Sequence, residues 1–121
     1  WPDPAIASGF RESQMNFHSM MTELGYRMLP VIARALEMPA DYFDDYFKDP
    51  SVVVRMVKYP AMGDLRDDQF GSASHTDAGF MTMLPQSNQP GLQIKTPDGE
   101  WVDHPTMEKG VIVNSGNMLR R

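Results

Sequence analysis

The sequence predicts an α+β chain: a helical N-terminal region, then a run of short strands of the kind that closes into a sandwich or barrel. Two observations carry this. Across residues 8–37 apolar side chains return at steps of three and four, the period of one helix face. From residue 51 onward, short runs rich in β-branched and aromatic residues alternate with turns that contain Pro or Gly. Length bounds both, because 121 residues at 41% hydrophobic content bury one core and give no sign of two. The chain is therefore read as one domain, 1–121, with a helical support region at 8–48 and a strand region at 51–121.

In the helical region Phe17, Met20, Met21, Leu24, Met28, Val31, Ile32, Ala35 and Leu36 form the apolar stripe, with its methionines expected to pack against the sheet. Ser8 or Ser13 is placed to cap the start, and Glu12 suits the first turn. Pro30 lacks an N–H and crowds the preceding turn, which predicts a kink near Tyr26 or a break into two helices. A short acidic helix is expected over residues 40–47. There Asp41 caps, Asp44 and Asp45 stay solvated, and Tyr42, Phe43, Tyr46 and Phe47 pack. Residues 51–59, bounded by Pro50 and Pro60, read as a strand with Val53, Arg55, Val57 and Tyr59 on one face. The polar stretch 61–70 reads as a solvated connection. Four further strands are expected near 80–84, 91–95, 100–103 and 110–116, separated by turns at 86–90 and 97–99.

The chemistry centres on His75-Thr76-Asp77. On extended backbone, side chains at i and i+2 share a face, so an imidazole nitrogen and a carboxylate oxygen can meet at one point. Two histidines and one carboxylate on one face of an octahedron, with the opposite positions open, suit non-haem Fe(II). His75 and Asp77 supply two of those three ligands. The plainer account is an exposed polar turn. His18, beside Phe17 in the helical region, reads as a helix-surface residue. His104 follows the motif on the same expected sheet and is the one other histidine placed to complete the set, but His104-Pro105 reads as the start of a loop.

The succession His75-x-Asp77, Gly91-Leu92-Gln93-Ile94, Gly99-Glu100-Trp101-Val102 and Val113-Asn114-x-Gly116 resembles the iron- and 2-oxoglutarate-dependent oxygenases of the isopenicillin N synthase-like family. Upstream, Arg55-Met56-Val57-Lys58-Tyr59-Pro60 is similar to the family's strand that ends in Tyr-Pro, and the resemblance extends from about Gly9 to the last residue. It implies a double-stranded β-helix, or jelly roll, with the N-terminal helices packed on it, here incomplete. It further implies Fe(II), with 2-oxoglutarate and O2 as co-substrates, metal ligation by His75 and Asp77, and a contact from Tyr59 to 2-oxoglutarate. The implied activity is oxidation of a C–H bond of a small organic substrate by hydroxylation, desaturation or ring closure, with release of succinate and CO2. In the family a second metal-binding histidine and an Arg-x-Ser pair follow, so the chain is expected to be the central part of a longer oxygenase. Two positions depart from the pattern: Val57, where several relatives carry Asn, and Asn117, where Asp is usual. The alternatives are an oxidase of the same fold that does not use 2-oxoglutarate, a jelly-roll binding module without catalysis, and a short non-catalytic partner subunit.

Composition narrows the partners. A formal charge of −5 argues against nucleic acid and anionic membranes as binding surfaces. No apolar run reaches the length of a membrane span and no signal peptide is visible. The absence of cysteine excludes disulfides and thiolate metal sites, and the cytoplasm is the simplest expected compartment. The oligomeric state is not legible. An open half-barrel would leave bare strand edges, so instability of this chain alone is expected.

Overall fold

A computed structural model describes residues 1–61 and 69–119, which fall into two compact units divided at Asp67/Asp68. The first is built on one helix, α1 (Phe10–Ala35, 26 residues). Its start is not capped by a serine. Gly9 takes the left-handed conformation (φ 73°) and no side chain closes the end, so glycine's freedom turns the chain where a hydroxyl was expected to. Its end is a Schellman closure, with Met38 N–H donating to Ala33 O (2.9 Å), Glu37 N–H donating to Arg34 O (3.1 Å), and Glu37 itself left-handed at φ 60°.

The helix runs unbroken through Pro30, against the expected break into two. Proline removes one backbone bond, but Gly25, Leu29 and Ala33 lie one turn apart on both sides of it and are all buried, so packing keeps the helix continuous across it. That buried line also corrects the expected stripe, since Met20, Val31 and Leu36 face outward. The core of this unit is Leu29, Ala33 and Phe43.

Residues 40–47 form successive turns rather than the expected short helix. The bonds run mainly from i+3 to i: Tyr42 N–H to Pro39 O, Asp44 N–H to Asp41 O and Tyr46 N–H to Phe43 O, at 3.0–3.1 Å. So short a segment cannot offset helix nucleation, and its aromatic contacts fix it instead. Phe43 meets Tyr42 and Phe47 edge to face, with centroids 5.0 and 6.3 Å apart. The Tyr26 hydroxyl donates to Phe47 O at 3.1 Å and ties the turns to α1. Among the described residues, 51–61 carry no ladder, so the strand expected at 51–59 is not formed there. β-branched residues favour extended backbone, but a strand also needs a partner to bond with. The part of the polar connection spanning 62–68 lies outside the described residues.

The second unit contains β1 (Met81–Pro85), β2 (Gln93–Lys95), β3 (Trp101–Asp103) and β4 (Val111–Ser115). All four strands expected after residue 79 are present; β2, β3 and β4 are trimmed at their ends and β1 is shifted by one residue. β1 and β4 pair antiparallel with Thr82 opposite Asn114, and β2 pairs antiparallel with β3. The result is two separate two-stranded sheets. The β2–β3 turn is closed by Thr96, which accepts from Gly99 N–H (3.0 Å) and donates its own N–H to Glu100 O (2.8 Å). Gly99 supplies the positive φ of 92° that the turn requires. A short 3-10 turn, Asn117–Leu119, follows β4. Among the described residues no helix is long and apolar enough to cross a membrane.

Candidate metal centre

His75 and Asp77 lie on irregular backbone just before β1, not within a strand as expected. Their side chains nevertheless converge, with His75 Nε2 3.6 Å from Asp77 Oδ1. Each side chain is secured through its other polar atom. His75 Nδ1 sits 2.8 Å from Ala73 O, an acceptor only, so Nδ1 carries the proton and Nε2 of the neutral ring keeps its lone pair. Asp77 Oδ2 accepts from the Asn114 amide at 2.8 Å. Asn114 and Thr82 are the directly opposed pair of the β1–β4 ladder.

These donors set the charge. The Thr82 hydroxyl, then the Asn114 amide, hold the Asp77 carboxyl below its ordinary range; partial burial opposes them, and His75 adds a smaller lowering. At neutral pH the group is a carboxylate, the form that binds metal. Two donors held at about 2.1 Å from one ion can be no more than about 4.2 Å apart, and the observed 3.6 Å lies inside that limit. The pair therefore fits a shared divalent ion, open on the side of His75, whose side chain is 65% exposed.

The backbone around the motif is clamped by the end of β4. Gly116 N–H donates to Phe80 O (3.0 Å), Asn117 N–H to Asp77 O (2.7 Å) and Met118 N–H to Gly79 O (3.3 Å). Gly116 is buried, and a Cβ there would overlap the Gly79 carbonyl oxygen, which is why this position of the Val113-Asn114-x-Gly116 motif is glycine. Asn117, the departure from the expected Asp, donates its side-chain amide to Thr76 Oγ1 at 3.1 Å. Thr82 and Asn114 were not singled out as site residues in the sequence. The available signal was an Asn inside a strand, where amide side chains are disfavoured without a specific partner.

Among the described residues no third His, Cys, Asp or Glu joins the pair. His104 Nδ1 lies 2.8 Å from Pro105 O and 3.1 Å from Gln86 Nε2, so this ring is engaged at the start of its loop. His18 Nε2 lies 3.4 Å from Val52 O in the first unit. Tyr59 also belongs to the first unit; at 56% exposure it is not a core tyrosine.

A carboxylate and an imidazole converging on one point are donor types that non-haem metal proteins use. The family model of the 2OG-Fe(II) oxygenase superfamily matches residues 48–121, and the chain belongs to that superfamily. Among curated relatives it is similar to a probable iron/ascorbate oxidoreductase of Dictyostelium discoideum, at 32% identity over 93% of this chain and 35% of that protein. A 2-oxoglutarate-Fe(II) type oxidoreductase of Emericella nidulans is 31% identical over all of this chain and 36% of its own length. Among solved structures, a full-length Neurospora crassa protein crystallised with alpha-KG superimposes with a TM-score of 0.76 at 26% identity, over 98% of this chain and 38% of that one. The same Neurospora protein has been crystallised with alpha-KG and thymine. The chain thus spans little more than a third of the length of these relatives.

Proposed function

We propose that this chain carries part of the active site of an Fe(II)- and 2-oxoglutarate-dependent oxygenase that oxidises a C–H bond of a small organic substrate, releasing succinate and CO2. The observation that carries the reading is the approach of His75 Nε2 to Asp77 Oδ1 at 3.6 Å, with the remaining polar atom of each side chain engaged elsewhere. In this reading His75 and Asp77 are metal ligands and Tyr59 contacts 2-oxoglutarate. Residues 51–121 form the first part of a jelly roll supported by 8–48, all within one domain, in a cytoplasmic protein. A bound Fe(II) supplies O2 activation and a chelation site for the oxo acid. The protein's own part is to hold the ligands in register and to orient the substrate while limiting water at the site.

Membership of the superfamily supports the chemistry, and the alpha-KG complex of the Neurospora neighbour supports the co-substrate. The thymine complex of that neighbour supports a small-molecule substrate and puts pyrimidines in the first panel to be assayed. A second reading, an iron oxidase that draws electrons from ascorbate, is favoured by the similarity to the probable iron/ascorbate oxidoreductase of Dictyostelium.

The test is iron binding and succinate release by the full-length gene product across a substrate panel, with His75→Ala and Asp77→Ala beside it. We expect Asp77→Ala to abolish Fe(II) binding at ordinary concentrations and both variants to lose succinate formation. Succinate release that survives His75→Ala would refute the site. Turnover of O2 with ascorbate and without 2-oxoglutarate would favour the second reading.

A further inference from the structure

We propose that Asn114, on β4, is a positioning residue of Asp77: its amide holds the carboxylate so that Oδ1 is turned toward His75. The inference rests on the metal reading above and assigns a residue that touches neither the ion nor its other ligand. Asn114 Nδ2 reaches Asp77 Oδ2 at 2.8 Å, a length typical of a bond to an ionised acceptor, from a residue 37 positions away in sequence. A carboxylate on irregular backbone is otherwise free to rotate about its side-chain torsions, and an oxygen not aimed at the ion contributes nothing to binding. A donor anchored on a paired strand removes that freedom before the metal arrives. This is the role that outer hydrogen-bonding partners play for metal ligands, where their loss weakens affinity without removing a ligand.

Ladder pairing places the donor. Asn114 stands opposite Thr82 in the register, and a shift of β4 by one residue would turn its side chain to the other face of the pair. The role is separable from folding, because Asn114→Leu keeps the size and branching of the side chain while deleting the amide.

The experiment uses the full-length gene product and Mn(II) as an O2-stable probe, with dissociation constants from titration and the native fold checked by near-UV circular dichroism. Asn114→Leu and Asn114→Ala are each expected to weaken Mn(II) binding by about tenfold or more. A purely structural role would lower the unfolding midpoint of both variants yet leave the Mn(II) affinity of the folded protein unchanged, and that result overturns the proposal. Should one of the two fail to fold, the other decides alone. If the parent itself binds no Mn(II), the metal reading fails and this assignment falls with it, an outcome distinct from a parent that binds and variants that match it.

Discussion

Replacing Gly116 by alanine tests how the metal motif is held in place. A Cβ at this position would overlap the Gly79 carbonyl oxygen, with the Gly79 carbonyl carbon at 2.6 Å and the Asp77 carbonyl oxygen at 3.1 Å. All three are backbone atoms, so none can swing aside as the end of a side chain would. Ordinary contact begins at 3.4 Å, so the two backbones must part by at least 0.8 Å at the carbonyl carbon. A displacement of that size along the three clamping bonds, now 2.7, 3.0 and 3.3 Å, takes the longer two beyond hydrogen-bonding distance and stretches the shortest to about 3.5 Å. Two bonds lost and a third weakened, at about 0.5–1.5 kcal/mol each, put the loss at about 1–4 kcal/mol. Gly79 serves as the control, since Gly79→Ala meets nothing within 4 Å. Urea unfolding of the two variants in the full-length gene product should rank Gly116→Ala far below Gly79→Ala, with Mn(II) affinity falling in Gly116→Ala. Equal midpoints for Gly116→Ala and Gly79→Ala would show that this close approach does not hold the motif.

The same exchange, Asn to Asp, should have opposite consequences at two neighbouring positions. Asn114→Asp sets an acceptor-only carboxylate against Asp77 and should cost about 1–3 kcal/mol. Asn117→Asp faces the Thr76 hydroxyl, which can turn and donate, so its cost should stay below about 0.5 kcal/mol; equal urea midpoints for the two variants would contradict the bond assignments. Asp77 also predicts a pH dependence. Its folded pKa lies below the unfolded value, so its stabilising contribution is fully present above about pH 4 and is lost as pH falls through the folded value. Urea midpoints of the parent and of Asn114→Ala should therefore draw together below about pH 4, and a gap that persists there would locate the Asn114 contribution elsewhere. In α1, Pro30→Ala restores an N–H for the Tyr26 carbonyl and should stabilise the first unit by about 1–3 kcal/mol, read as a higher thermal midpoint. A lower midpoint would mean that the proline ring is needed in the packing.

What could be read in advance was whatever the chain writes locally. The three-and-four periodicity named α1, and alternation with Pro and Gly turns named four strands, because both signals arise from the side chains of a single element. His75 and Asp77 were legible for the same reason, being separated by one residue. What failed depended on partners. Residues 51–59 have the composition of a strand, but composition does not supply a neighbour to bond with. Pro30 was given its intrinsic cost, whereas Gly25, Leu29 and Ala33 packing around it decided the outcome. Thr82 and Asn114 became meaningful only through the β1–β4 register, which sets a residue of one motif opposite a residue of another and is written in neither.

That register also explains why sequence motifs this far apart belong together. The His-x-Asp segment and the Val-Asn-x-Gly segment look like separate signatures. In the structure they are two sides of one clamp, joined at Asp77 by side chain and backbone and at Thr76 by Asn117. The chain between the paired strands contributes β2 and β3, which pair with each other and make no ladder with β1 or β4. Closing a flexible loop costs only about 0.6 kcal/mol more for each doubling of its length, so that intervening segment can vary widely with little effect on the clamp. Shifting β4 by a single residue against β1, in contrast, would turn Asn114 away from the carboxylate and move Gly116 off its close approach to the Gly79 backbone. The constraint on the site therefore lies in the β1–β4 register and in the identity of Asn114 and Gly116, rather than in the length of chain that separates the two motifs.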